Sequence, residues 1–277
     1  MTLVLLGMPI VSLLACWLVI RLGVTDAPDG GRKTQKAPVP TSGGIAIFAS
    51  VAFGLGLTGD LIAIYSTELA ALLIFILLAV IIGVYDDIRG LDSKRKLVLL
   101  GAISLLAAAF GPRLGHFHMP FGPDAGYALP AWFSVLGVGL WLFVLMNATN
   151  FMDGANGLAM GSAAIMLISF AILLKLLDIT DPDTDDEAIM SHLAALASAA
   201  TLGFLVWNMA GKLFAGDTGA LGMGALLGAA GLMVACRMTV WEPATLILPF
   251  LVDVFLTLIW RARAGKHLFE AHRDHAY

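Results

Sequence analysis

Charge is scarce in this sequence, and its scarcity excludes most soluble folds. Only 13% of the 277 residues are Asp, Glu, Lys or Arg, 59% are hydrophobic, and the mean hydropathy is +0.90. A soluble domain carries about 25% charged and about 45–50% apolar residues. The chain is therefore read as an integral membrane protein. Polar alternation is lacking too. Apolar stretches run unbroken for about 15–22 residues, which excludes barrel strands and leaves helices as the way to satisfy backbone amides in lipid. Cysteine is almost absent: Cys16 and Cys236 lie in or beside apolar runs and read as small core residues, not as a disulfide or metal pair. There is no dinucleotide or Walker fingerprint and no nucleophile elbow. No internal repeat is evident, which argues against an inverted-repeat transporter. The first apolar run has no basic segment before it and no clear cleavage site, so it reads as a spanning helix, not a removed signal. No nucleic-acid partner is expected.

What is present is a set of nine apolar runs, near 2–22, 43–58, 68–85, 97–111, 130–147, 158–177, 189–208, 219–236 and 242–261. The expected fold is all-α and polytopic, a single transmembrane domain over 1–277. Several runs are short for a perpendicular crossing, so tilting or local thinning is expected. Basic residues fall on one side. Arg21, Arg32, Lys33, Lys36, Arg89, Lys94, Arg95, Lys96, Lys212, Arg261, Arg263, Lys266 and Arg273 share it, 13 of the 16 Lys and Arg; Arg113, Lys175 and Arg237 lie on the other. The positive-inside rule then puts the N-terminus outside and the C-terminus in the cytoplasm. Thirty glycines point to close helix packing.

Four polar clusters fall on the basic side. Asp86-Asp87 close the run Ala70–Tyr85, with Lys94, Arg95 and Lys96 just downstream. Aspartates are costly at membrane depth, so a pair at the boundary suggests proton or hard-cation chemistry, although a solvated helix end gives the same pattern. Lys94 and Arg95 read as anchors of the next helix; Lys96, nearest its start, is the preferred phosphate ligand. In the loop Asn147–Gly157, Asn147 and Asn150 are spaced to share a helix face, and such amides suit a metal or a nucleobase edge. Asp217, in Phe214-Ala215-Gly216-Asp217-Thr218-Gly219, stands where a glycine-flanked loop enters a helix, either as a cation ligand or as an N-cap. His272-Arg273-Asp274-His275 follows the last run and offers groups for a diphosphate; zinc is improbable, with no Cys or Glu at matching spacing. Asp253 lies inside an apolar run, where a carboxylate is costly unless paired, and with Lys175 it is what a transporter reading would rest on. A one-sided set of clusters suits an enzyme with one soluble and one lipid substrate.

In this order, PVPTSGG (38–44) after a basic loop, VYDD (84–87), NATNFMDGANGLA (147–159), WN…KLFAGDTG (207–219) and HRDH (272–275) resemble the polyprenyl-phosphate N-acetylhexosamine-1-phosphate transferases. The likeness covers nearly the whole chain. Each motif is modestly specific; five in order on one side are strongly so. The resemblance implies a helical membrane fold of ten or eleven spans with a cytoplasmic cleft in the bacterial inner membrane. It implies transfer of N-acetylhexosamine-1-phosphate from a UDP-sugar to undecaprenyl phosphate, releasing UMP, with Mg²⁺ or Mn²⁺. Membrane lipid and a homodimer are the other partners it implies. Asp86 and Asp87 match paired catalytic aspartates, one deprotonating or orienting the lipid phosphate or, in an older proposal, acting as a nucleophile. Lys96 matches a phosphate-side lysine. Asp217 matches the metal-holding aspartate, with Asn150 a second ligand. Asn156 and Phe214 match uracil contacts. Asn208 and Asp153 match the nucleotide pocket, and Lys36 and Asn147 fall with the substrate-binding motifs. His272, Arg273 and His275 match the basic motif that grips the diphosphate or sugar.

The chain also departs from that family's patterns. A histidine common near Gln35 is absent. Ile88 and Asn156 stand where the muramoyl-pentapeptide branch has aspartates, and HRDH replaces its run of histidines. These departures point to a surface-polysaccharide branch such as O-antigen initiation. A muramoyl-pentapeptide transferase and a multi-pass transporter stand as alternatives. With nine runs against ten or eleven, either a final helix is missing or the protein is naturally short.

Overall fold

The computed structural model of the chain describes residues 2–22, 25–26, 39–60, 66–119, 126–180 and 185–265. Nine helices follow one another within them: α1 (Thr2–Leu22), α2 (Gly43–Thr58), α3 (Thr67–Arg89), α4 (Ser93–Phe110), α5 (Ala131–Met152), α6 (Leu158–Thr180), α7 (Asp186–Met209), α8 (Gly216–Arg237) and α9 (Trp241–Arg263). Two short antiparallel pairs accompany them. β1 (Thr25–Asp26) meets β2 (Val39–Pro40), and β3 (His116–Phe117) meets β4 (Tyr127–Ala128). The order of helices is the order of the apolar runs, and the chain is an all-α polytopic membrane protein. Seven helices are long and apolar enough to cross a membrane. α2 has 16 residues, and α4 opens on Ser93-Lys94-Arg95-Lys96, which leaves Leu97–Phe110 as its apolar part.

Several helix ends correct the sequence-based boundaries. α3 runs on through Asp86 and Asp87 to Arg89, and α5 runs on through Asn147 and Asn150 to Met152. α8 starts at Gly216, so Asp217 lies in its first turn. The polar residues of α5 remain helical because they satisfy themselves against the preceding turn. Asn147 Nδ2 donates to the Phe143 carbonyl at 2.7 Å, and Thr149 Oγ1 donates to that of Leu145 at 2.9 Å. Cys16 is buried as expected, but Cys236 is exposed, and both are free thiols.

α8 is the axis of the bundle and packs against α2, α3, α5, α6, α7 and α9. Of its spanning stretch, 94% is buried, against 17% for α1, whose Leu3, Leu6, Ile10 and Leu14 face outward. Hydrophobicity alone does not separate these helices; side-chain size does. α8 reads Gly-Ala-Leu-Gly-Met-Gly-Ala over 219–225, and small residues let helix backbones close on one another in a membrane. A Cβ on Gly44 of α2 would sit 2.1 Å from the Gly219 nitrogen, and one on Gly83 of α3 would sit 2.5 Å from the Thr218 Cα. α2 and α3 thus meet α8 backbone to backbone at its first turn.

Candidate active site

That first turn of α8 is where the distant motifs converge. Helix starts leave unsatisfied N–H groups, and α8 has no side-chain cap of its own: its N-cap is Ala215. The cap comes from α3. Asp87 Oδ1 accepts from the Asp217 backbone N–H at 2.8 Å. Its Oδ2 accepts from the Thr218 N–H at 3.0 Å and from Thr218 Oγ1 at 2.6 Å. Asp217 is therefore not the cap, which was one of its two sequence readings. Its side chain turns away from the helix start to meet α4 and α5.

Lys96, from α4, lies between two carboxylates. Its Nζ is 2.7 Å from Asp217 Oδ1 and 2.8 Å from Asp86 Oδ2. Asn150 of α5 also donates its Nδ2 to Asp217 Oδ1. Asp86 spends its other oxygen on the Leu91 N–H, at 2.5 Å, just beyond the end of α3. Lys94 and Arg95 are exposed, in keeping with anchors of α4, while Lys96 is turned inward.

Asp153 lies just past the end of α5. Burial pushes its carboxyl up to about 7, helped by the negative charges of Asp217 and Asp87. Asp86 and Asp217 thus share the Lys96 ammonium, and Asp87 and Asp153 add negative charge close by. Among the described residues, no three His, Cys, Asp or Glu side chains are arranged to enclose a metal ion. The donor set does fit Mg²⁺, which takes one or two carboxylates and fills its remaining positions with water and substrate phosphate. Asp217 and Asp153 would supply carboxylates and Asn150, whose amide meets Asp217, an amide oxygen; the surplus of negative charge favours a cation.

The neighbouring loops are tied together by one buried amide. Asn208, 4% exposed, accepts from the Gly157 N–H at 2.7 Å through Oδ1 and donates through Nδ2 to the Leu213 carbonyl at 2.9 Å. It fixes the turn 153–157 against the loop 210–215. Asn156 is exposed on that turn, and its Nδ2 would lie 3.8 Å from a Cβ on Gly211. Phe214 is half-buried, and its backbone zips the loop to the segment before α2. Its N–H donates to the Pro40 carbonyl at 2.9 Å, and its carbonyl accepts from the Gly43 N–H at 2.9 Å.

The structure therefore brings together Asp86, Asp87, Lys96, Asn150, Asp153 and Asp217, with Asn156 and Phe214 on adjoining loops and Asn208 in the last turn of α7. Asn147 is set apart, its amide turned back onto its own helix. Lys36, His272, Arg273 and His275 lie outside the described residues. Thr218 went unnoticed in the sequence although its hydroxyl holds Asp87. The signal was there: Gly216 and Gly219 flank Asp217-Thr218, and glycines mark close approach of another group.

Membrane-length helices that gather carboxylates, an ammonium and amides at one end define a polytopic membrane protein with a charged site at the end of its bundle. Its family follows from comparison with known proteins. A profile for glycosyl transferase family 4 matches residues 69–235, and the chain belongs to that family. It is 30% identical over 223 residues to a probable undecaprenyl-phosphate N-acetylglucosaminyl 1-phosphate transferase of Bacillus subtilis, covering 80% of this chain and 57% of that protein. It is 32% identical over 272 residues to a phospho-N-acetylmuramoyl-pentapeptide-transferase of a Synechococcus strain, covering 92% and 73%. A decaprenyl-phosphate N-acetylglucosaminephosphotransferase of Mycolicibacterium smegmatis is 28% identical over 285 residues, covering 94% and 69%. The chain thus spans between 57% and 73% of the length of these relatives.

Proposed function

We propose that this chain transfers an N-acetylhexosamine-1-phosphate group from a UDP-sugar to undecaprenyl phosphate, giving undecaprenyl-diphospho-sugar and UMP, as the first step of a surface polysaccharide such as O-antigen. The observation that carries the reading is the Lys96 ammonium held between Asp86 and Asp217, with Asn150 on the same Asp217 oxygen. Three motifs far apart in sequence meet there, in a family whose Bacillus and Mycolicibacterium members described above are named for undecaprenyl or decaprenyl phosphate.

In this reaction an oxygen of the lipid phosphate attacks the β-phosphorus of the UDP-sugar. The bond from that phosphorus to the bridging oxygen breaks, and UMP leaves with the bridging oxygen. Phosphoryl transfer asks little covalent work of a protein beyond positioning and neutralising charge. Lys96 neutralises phosphate oxygens, and Asp86, facing Lys96, orients the lipid phosphate and takes its proton. Asp217, Asn150 and Asp153 would hold Mg²⁺, whose positive charge offsets that of the diphosphate. Asn156 and Phe214 take the uracil, and Asn208 keeps their two loops in register. The site faces the cytoplasm of a bacterial inner membrane, with the N-terminus outside, because the site end carries the basic flanks.

A muramoyl-pentapeptide donor is the second reading, favoured by the Synechococcus relative that covers 92% of this chain. Ile88 and Asn156 weigh against it. The test is UMP release by purified protein in detergent, with undecaprenyl phosphate and a panel of UDP-N-acetylhexosamines that includes the muramoyl-pentapeptide donor. Release that needs both lipid and divalent cation supports the transferase and names its sugar. Absence of release with every donor would overturn it and move a transporter forward.

A further inference from the structure

Asp86 and Asp87 are adjacent, but the fold separates their tasks. Successive residues on a helix point about 100° apart, so the two carboxylates leave α3 in different directions. Asp86 turns to Lys96. Asp87 turns to the backbone of α8. We propose that Asp87 is a positioning residue: it caps α8 from α3 and so fixes where Asp217 stands against Lys96 and Asn150.

Three observations carry this. An ionised carboxylate has about four lone-pair sites, and Asp87 commits three of them to Asp217 N–H, Thr218 N–H and Thr218 Oγ1. α8 brings no side-chain cap of its own, and a negative charge is favoured at a helix start. The chain also clears space for this carboxylate. A Cβ on Gly216, whose φ is +69°, would lie 2.7 and 2.8 Å from the Asp87 oxygens and 2.1 Å from the Thr41 carbonyl oxygen. On the α3 side, a Cβ on Gly83 would strike the Asp217 carbonyl oxygen at 2.6 Å. Glycines on both helices let α3 deliver the cap. What Asp87 positions Asp217 for rests on the transferase reading above; the capping contact itself does not.

The experiment compares wild type with Asp87→Asn, Thr218→Ala and Thr218→Ser. Amide hydrogen exchange over 213–223 is followed in metal-free protein, and UMP release is followed against Mg²⁺ concentration. An Asn presents an NH₂ where the cap needs an acceptor. Asp87→Asn should therefore speed exchange at the Asp217 and Thr218 amides by about tenfold, the loss of one charge-assisted hydrogen bond. It should also raise the Mg²⁺ needed for half-maximal release, with activity recovering at high Mg²⁺. Thr218→Ala should shift both readouts in the same direction by less, and Thr218→Ser should restore them. Unchanged exchange at the start of α8 in Asp87→Asn would overturn the proposal. So would activity lost equally at every Mg²⁺ concentration, the behaviour of a reacting base. If Asp87→Asn fails to fold, the Thr218 pair decides: an alanine variant identical to wild type in both readouts overturns the proposal. A wild type that releases no UMP, with exchange shifting as expected, supports the cap and overturns the transferase reading instead.

Discussion

At the scale of single residues, the proposed reaction divides the site into groups that face the reactants and groups that hold those in place. It assigns Lys96 and Asp217 to the first kind. Lys96→Met removes the ammonium from between two carboxylates and should lower UMP release by about 10²–10³-fold, the usual loss when one electrostatic stabiliser is removed. Asp217→Ala should lose at least as much; a variant at either position with wild-type turnover would sink their assignment. Asp153 makes a pH-dependent prediction. Its carboxyl is pushed up to about 7 in the fold, from the ordinary 3.8. As pH rises between those values the unfolded chain ionises while the folded chain resists, so this group costs more stability as pH rises, and the full cost is reached above about 7. Asp153→Asn should raise the Tm of metal-free protein at pH 8 and change it little at pH 4.5. An equal shift at both pH values in thermal unfolding would contradict the sign. The charged residues that meet at the candidate site were legible in the sequence because charges at a membrane boundary are costly and stand out. The tasks of Asp87 and Asn208 were not legible. Their partners are backbone groups of Asp217, Thr218, Gly157 and Leu213, and no residue type announces those.

At the scale of elements, composition revealed each helix of the described residues but not its ends. A hydropathy run stops where polar residues begin. The helix does not, when Asn147 and Thr149 can return their hydrogen bonds to the turn before, or when Asp86 and Asp87 find partners across the bundle. The meeting of α2 and α3 with α8 was foreshadowed only by the glycine count. Gly216→Ala places a methyl on the Thr41 carbonyl oxygen at a positive φ, and Gly44→Ala drives α2 from α8. Each should destabilise by about 1–3 kcal/mol or more, measured as a lower Tm in detergent. An unchanged Tm in both would show that the junction yields without cost.

At the scale of the whole molecule, the orientation proposed from the basic flanks puts the site end of the bundle in the cytoplasm. A green fluorescent fusion to the C-terminus should fluoresce in the cytoplasm, and an alkaline phosphatase fusion to the loop between α4 and α5 should be active outside. The reverse pattern would turn the whole site to the wrong compartment for a nucleotide sugar. An inventory of apolar runs also gives no hint that one of them avoids lipid. α1 and α8 both qualify as spans, yet α1 is largely bare and α8 is enclosed.

That enclosure has a consequence for how the protein is made. A helix with 94% of its span covered by neighbours has almost no surface suited to lipid company. It leaves the ribosome after α2, α3, α5, α6 and α7, against which it packs, and before α9, which packs on it last. Until α8 arrives Asp86 has Lys96 for a counter-charge, while Asp87 lacks the helix start that it caps. Asp217 comes in on the arriving strut, so the charged seat cannot close before that strut is in place.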